Sequence, residues 1–344
     1  MAGSAADRTA LELGARGAFR GAPFVLTSRT EVSNAGGATW NEWRLTFDDG
    51  RVGWLAEALG VLTLYFEGAL APTFDALEVG GGLTLDWTVV ERGTATRLKT
   101  WGGESPGKRT YSYADLSGRD GRRATVDYGE REPIVFVGQT VAATKLGLTP
   151  RPGGAPLVAV SGGRTSRDGA PPLEVGAEGT LAGAKVRVRG VMQRTMRTDG
   201  ETATWDEYLL DAGELGLRWL TCADGHWNFV APVEPGLVRE SADGERATYD
   251  GETYRAFGNG TAKVSYLAGE MPWPARVGDA SEVCDFVCAP RVLSCEWTDD
   301  EISWSLGIYT EPDAILRGFG RRALPKPRGR APNQPRKAAK SSRR

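Results

Sequence analysis

The chain contains one histidine, His226, in 344 residues. A His₂ or His₃ metal site is therefore impossible within it, and any Ser-His-Asp or Cys-His arrangement would have to be built on that one side chain. Cysteine is almost as scarce. The four present, Cys222, Cys284, Cys288 and Cys295, are too few for a disulfide framework at this length and agree with a reducing compartment, so the expected location is cytoplasmic. Long apolar runs are missing: each is broken within about seven positions, short of the ~18–20 residues that cross a bilayer, and no transmembrane segment is expected. Met1 to Phe19 lacks the basic region and apolar core of a signal peptide. No G-x-x-x-x-G-K-[ST] occurs, and Gly80 to Gly82 precedes a strand instead of opening a helix, so no nucleotide and no other cofactor is expected.

Residues 321–344 contain no acidic residue and hold ten of the 42 Lys and Arg. Residues 1–320 then carry 32 positive against 44 negative charges, so the net of −2 divides into an acidic body at −12 and a basic tail at +10. The tail, Arg321 to Arg344, is disordered by composition and has no aromatic residue on which a base could stack, so a nucleic acid or anionic membrane would meet it through phosphates. The chain holds 46 Gly, 19 Pro and 11 Trp, and all but Gly329 and four of the prolines lie in the body. This punctuation suits short strands and turns around an aromatic-rich core.

Part of the chain is duplicated. Leu13 to Ala22 matches Val175 to Ala184 at an offset of 162, with Gly14, Gly17 and Gly21 falling on Gly176, Gly179 and Gly183. From Arg29-Thr30, matched to Arg194-Thr195, the offset is 165: Trp40, Glu42, Trp43 and Leu45 meet Trp205, Glu207, Tyr208 and Leu210, and Trp54-Leu55 meets Trp219-Leu220. Two copies separated this widely are two modules, not a solenoid. Each alternates with period two, as in Trp43, Leu45 and Phe47 against Trp40, Glu42 and Arg44, and turn residues lie ahead of the strands.

The reading is an all-β chain, mainly tandem small antiparallel β-barrel or roll modules with one short C-terminal helix. Its parts are a first β module at 1–72, a middle β unit at 73–148, a linker at 149–174, a second β module with a C-terminal extension at 175–320, and the tail at 321–344. Middle-unit strands are expected at Leu83 to Val90, Thr96 to Thr100, Tyr111 to Leu116 and Arg123 to Tyr128. The helix is expected over Pro312 to Phe319 with Thr310 as its cap.

The repeated Trp-x-Glu could supply a carboxyl of raised pKa for general acid–base work. An even-numbered hairpin loop centred between residues 35 and 36 instead places Arg29 opposite Glu42, and one centred between 200 and 201 places Arg194 opposite Glu207. Both copies then predict a cross-strand ion pair that fixes register, with Trp40, Trp54, Trp205 and Trp219 as structural partners. His226 follows a turn in Asp224-Gly225 and is read as orienting it by hydrogen bonding. Cys284, Cys288 and Cys295 with Cys222 do not repeat a short C-x₂₋₄-C pair, so buried thiols are expected and no metal.

Gly53-Trp54-Leu55, Arg218-Trp219-Leu220, His226-Trp227-Asn228-Phe229, Met271-Pro272-Trp273, Ser294-Cys295-Glu296 and Trp304-Ser305-Leu306-Gly307 occur in an order that resembles the bacterial domain-of-unknown-function family 4178, over about Gly14 to Phe319. The resemblance implies tandem small β domains without an established reaction, in proteins encoded beside phage-shock-type membrane-stress components. Many relatives are similar to this chain except for a zinc ribbon between modules. Its ligand positions are here Thr149 to Gly153 and Thr165 to Gly169, without cysteine, so the resemblance implies that 149–174 binds no metal and is loosely ordered.

The expected function is a non-enzymatic binding or scaffold protein that presents β modules to a protein partner in a membrane-stress setting. Two alternatives stand beside it: a hydrolase or transferase using Glu207, His226 and Asp206 in one cleft, and peripheral membrane or nucleic-acid contact through Arg321 to Arg344.

Overall fold

The computed structural model describes residues 9–336 apart from 69–71, 85, 104–106, 151–156, 166–170 and 199–200. Its first sheet contains β1 (Arg16–Phe19), β2 (Ala22–Asn34), β3 (Thr39–Phe47), β4 (Val52–Ala58), β5 (Val61–Glu67), β6 (Gly82–Thr84), β7 (Trp87–Trp101), β8 (Thr110–Gly118), β9 (Arg123–Asp127) and β10 (Ile134–Thr140). The second contains β11 (Val158–Gly163), β12 (Glu178–Leu181), β13 (Ala184–Thr198), β14 (Glu201–Asp211), β15 (Leu217–Ala223), β16 (His226–Val233), β17 (Arg239–Glu240), β18 (Arg246–Tyr249), β19 (Glu252–Met271), β20 (Ala280–Cys288), β21 (Arg291–Trp297) and β22 (Ile302–Thr310). One helix, α1 (Pro312–Gly318), follows. Its cap is Glu311, not Thr310, and makes no side-chain capping bond.

Each sheet closes on itself. β2-β3-β4-β5-β10-β9-β8-β7 returns to β2 through the β2–β7 pairing, and β13-β14-β15-β16-β22-β21-β20-β19 returns to β13 through β13–β19. The result is two eight-stranded antiparallel barrels. The boundary drawn between 72 and 73 falls inside one of them, because β5 pairs with β10 and β2 with β7. Residues 73–148 thus supply the second half of the first barrel, as the C-terminal extension does for the second. Within the linker, β11 pairs with β19 from Met271 back to Tyr266. The rest of the ribbon positions lie largely outside the described residues.

The strands Leu83 to Val90 and Thr96 to Thr100 are read separately in the sequence, whereas β7 is one strand of 15 residues from Trp87. Bulges explain the difference. The register shifts between Val89 and Glu91 against β8 and between Glu31 and Val32 against β2, which leaves Leu98 as the extra residue, and each bulge reverses the period-two alternation. Flanking the first barrel, Phe24, Leu26, Trp43, Leu45, Phe47, Leu55 and Leu64 pack under Leu11, Leu146 and Leu148. The corresponding core of the second is built on Tyr208, Leu210, Leu220 and Trp227, covered by Ile315 and Phe319.

Among the described residues, two elements of the second barrel hydrogen-bond to the first. A short 3₁₀ turn, Pro235–Leu237, brings the Gly236 amide to Ser117 Oγ at 3.0 Å, and Glu234 accepts from Arg123 Nε at 3.1 Å. The β21–β22 connection lies along β7, with Arg92 N–H donating to Asp300 C=O at 2.9 Å and Glu91 bridged to Glu301. A Cβ on Gly236 would stand 2.5 Å from Ser117 O and 2.6 Å from Gly118 O, both backbone atoms that cannot turn aside. Gly236→Ala is therefore expected to weaken the joint by about 1–3 kcal/mol. Small-angle scattering should show a larger radius of gyration. An unchanged scattering profile and melting temperature would contradict this account of the joint.

Candidate functional site

The first hairpin closes differently from its expected form. Thr30 opposes Glu42 and Arg29 opposes Trp43, with Asn34 N–H donating to Ala38 C=O at 3.0 Å across a three-residue loop. An odd loop shifts the register by one and puts Arg29 and Glu42 on opposite faces. Arg29 instead donates from Nε to Asn41 Oδ1 at 2.8 Å and lies over Trp43 and Trp101. In the second copy Arg194 opposes Trp205, and Glu207 is its diagonal neighbour, with Nη1 to Oε1 3.8 Å. Thr198 opposes Glu201, so the three additional residues lengthen this hairpin. They do not precede Arg29. Because Arg29 opposes Trp43 and Val191 opposes Tyr208, Arg29 corresponds to Val191, and Arg194 corresponds to Val32.

This correspondence exposes an exchange. Val32 directly opposes Arg97 in the first barrel, and Arg194 directly opposes Val264 in the second. Each barrel thus carries one buried guanidinium at this pair, on β7 in one and on β13 in the other. Arg97 and Arg194 are 5% and 4% exposed. Following the ladders onward, Tyr111 corresponds to Ser281, Asp127 to Glu296, Asp115 to Asp285 and Thr125 to Ser294.

In the first barrel Glu42 accepts from Trp40 Nε1 at 3.1 Å and from Tyr111 Oη at 3.3 Å. β3 and β8 are not sheet neighbours, so this bond crosses the barrel's inside. Arg97 lies 3.8 Å from the Tyr111 ring centroid and pairs with Asp127 at 2.5 Å. In the second barrel Trp205 Nε1 donates to Glu207 at 2.6 Å, and Arg194 Nη1 reaches both Glu296 oxygens at 2.8 and 2.9 Å. Ser281 Oγ donates to Glu296 at 2.5 Å and accepts from Arg194 Nη2. Burial pushes both repeated carboxyls up. The Trp40 bond and Arg97 counter this at Glu42, and Arg194 counters it at Glu207. Burial raises Asp285 as well, against the 2.5 Å bond from Ser294. The Trp-x-Glu repeat therefore marks one interior charge network per barrel. Arg97, Asp127, Glu296 and Ser281 belong to it but lie outside the residues that match between the two copies, because the arginine changes strand from one to the other. Trp54 and Trp219 are not part of it: Trp54 packs on Phe136 and Trp219 on Trp273.

The three residues grouped as an acid–base cleft have separate partners. Asp206 is adjacent to Glu207 on β14 and faces the other way, accepting from Gln193 Nε2 at 2.8 Å. His226 is 5% exposed, with Nδ1 3.0 Å from Tyr309 Oη and Nε2 3.2 Å from Arg328 O. A carbonyl can only accept, so Nε2 carries a proton and donates to Arg328 O. The histidine side chain thus bonds β22 and the tail, and neither ring bond goes to the Asp224-Gly225 turn it was expected to orient. Residues 321–336, read in the sequence as disordered, lie along the second barrel: Arg328 N–H donates to Asp224 C=O at 2.8 Å, and Asn333 is 2% exposed.

Cys284 and Cys295 oppose each other on β20 and β21, and burial pushes the Cys284 thiol up to about 11. Cys222 belongs to a different core. Among the described residues no group of three or more His, Cys, Asp or Glu is placed to hold a metal ion, and no helix is long and apolar enough to cross a membrane.

Two closed antiparallel barrels built on one duplicated plan, each with a Trp-x-Glu network inside, define a tandem β-barrel protein. The chain belongs to the family described as a domain of unknown function, DUF4178, whose model matches residues 12–143 and 174–312. Each match takes in nearly all the strands of one barrel. No curated protein and no solved structure matches the chain.

Proposed function

We propose that the protein is a non-enzymatic binding protein of the cytoplasm that presents its two barrels to a protein partner, in the membrane-stress setting implied by the family resemblance. The observation that supports this reading is the use made of the interior charges. In both barrels the repeated carboxyl, the arginine and the second acid share one interior network, Arg97 pairing with Asp127 beside a Glu42 bonded to Trp40 and Tyr111, and Arg194 lying between Glu207 and Glu296, and the copies differ around His226. A hydrolase or transferase built on Glu207, Asp206 and His226 has less support, since the three side chains are bonded to different groups. Affinity purification of the full chain from its native cell should recover the same partner with wild type and with Glu207→Gln. Conversion of a metabolite that wild type supports and Glu207→Gln abolishes would overturn the reading.

One observation favours a second reading, contact with a polyanion. Arg322, Lys326, Arg328, Arg330 and Arg336 are all exposed on a segment whose backbone is docked. Replacing all five by Gln would then reduce retention on anionic vesicles or RNA steeply at low salt and little at high salt.

A further inference from the structure

The segment from Leu324 to Arg336 crosses one end of the second barrel, from the turn at Asp224 to the turn at Pro290, and is held there by specific bonds. Its Arg328 N–H donates to Asp224 C=O, and its Arg328 C=O accepts from His226 Nε2. Asn333 Nδ2 donates to Asn228 Oδ1 at 2.7 Å and to Pro290 O at 3.1 Å. Ala331 is 8% exposed and Leu324 packs on the barrel's core. No charged side chain between Arg322 and Arg336 makes an ion pair with a described residue, so the attachment rests on backbone, amide and apolar contacts.

The seat belongs to one copy. By register His226, Asn228 and Tyr309 correspond to Val61, Thr63 and Thr140 in the first barrel, and Val61 is 42% exposed. The copies keep the buried tryptophan–glutamate–arginine network yet differ in His226 and Asn228, which bond the segment, and in Tyr309, which bonds His226. The segment also lies beyond residue 312, where the family match ends.

We propose that this end of the second barrel is a binding site for an extended, proline-flanked peptide bearing Ala-Pro-Asn, occupied in this chain by its own residues 324–336 and opened to a partner protein's segment of the same chemistry by exchange. The proposal rests on the binding reading above and names the site through which it works. Its chemistry is selective. Both bonds from residue 333 need amide donors, which aspartate lacks and cannot replace opposite two acceptors. Ala331 is buried, so a charged side chain there would be desolvated, and Pro325, Pro327, Pro332 and Pro335 preset an extended backbone, which reduces the ordering cost of binding.

The probe is a fluorescein-labelled peptide with the sequence of residues 322–336. It is titrated into the wild-type full chain, into a full chain carrying Ala331→Glu and Asn333→Asp to release its own segment, and into that variant with His226→Leu added. The released chain is expected to bind at micromolar concentration. Wild type should bind at least about tenfold more weakly, since a tethered competitor acts at roughly millimolar effective concentration. The His226→Leu chain and a peptide carrying Asn333→Asp should each lose about tenfold or more. A released chain with wild-type melting behaviour that takes up no peptide at about 1 mM overturns the proposal. So does equal binding of the Asn333→Asp peptide, which would mean that charge alone holds it. If the peptide fails while partner capture persists unaltered by the release substitutions, the site is wrong and the binding reading stands. Peptide exchange without any captured partner removes the reading and leaves the site.

Discussion

Replacing Arg194 by valine lowers the stability of the second barrel by about 3 kcal/mol, equivalent to a fall in melting temperature of roughly 10 °C. The size follows from what is left behind. Glu207 keeps its Trp205 bond and Glu296 its Ser281 bond, but two carboxylates then face each other without the cation between them. Removing one partner of a buried ion pair usually costs about 3–5 kcal/mol, and the lower figure applies because the Glu296 side chain is 43% exposed and partly screened. The diagnostic variant is the double exchange Arg194→Val with Val264→Arg. It moves the guanidinium to the opposing strand, the position that Arg97 occupies opposite Val32. If one interior network underlies both barrels, the exchange recovers at least half of the lost stability. A double variant no more stable than Arg194→Val would show that the two arrangements are not interchangeable. In both barrels the arginine's Nε–H is buried with no partner among the described residues. The network therefore carries a desolvation cost that its remaining bonds offset.

The features legible in the sequence were local. Alternation in Trp43, Leu45 and Phe47 identified β3 and its buried face, and the glycine pattern around Gly14 and Gly17 identified the duplication. Ring closure was not legible, because the strands that complete the first barrel, β7 to β10, show no repeat of β2 to β5. The recurrence of Arg-Thr at 29 and 194 drew the offset change to the wrong side of the hairpin, since a dipeptide carries no register information. Loop parity, odd in one hairpin and even in the other, then decided which arginine could reach which glutamate. The tail illustrates a different limit. Its composition lacks the apolar residues to fold by itself, and Ala331 and Asn333 become buried only because His226, Asn228 and Tyr309, far away in sequence, provide a seat.

Between pH 5 and pH 8 the protein is expected to lose stability, by about 1–3 kcal/mol, with Asp115 as the main source. Asp115 lies inside the first barrel beside the joint, and burial with the Glu91 charge pushes its carboxyl up to about 7, despite a bond from Thr125 and the attraction of Arg123. Glu301, brought by the second barrel opposite Glu91, is pushed to about 7 by burial and by Glu91, Glu296 and Asp115. Glu42 lies on the same interior face and also raises Asp115, while Tyr113 Oη donates to Glu91. Both folded values lie above those of the free carboxyls, 3.8 and 4.5. Their favourable contribution is thus complete below about pH 4 and is lost as pH rises through about 7, because the folded state binds protons that the unfolded state has released. The raised carboxyls of Glu42 and Glu207 act in the same direction. Glu301 is desolvated at its carboxyl but exposed as a residue, so solvent screens its share and the energy is assigned to Asp115. Urea unfolding at pH 5, 6, 7 and 8 measures the slope, and Asp115→Asn should flatten most of it and be more stable than wild type at pH 8. A wild-type slope that is flat or rising over this range, or one that Asp115→Asn leaves intact, would place the proton-binding groups elsewhere. Because Arg123 also pairs with Glu234 from the second barrel, deprotonating Asp115 competes for the cation that holds the joint. The loss should therefore appear first as separation of the barrels: scattering at pH 8 should give a larger radius of gyration than at pH 6, with near-unchanged strand content.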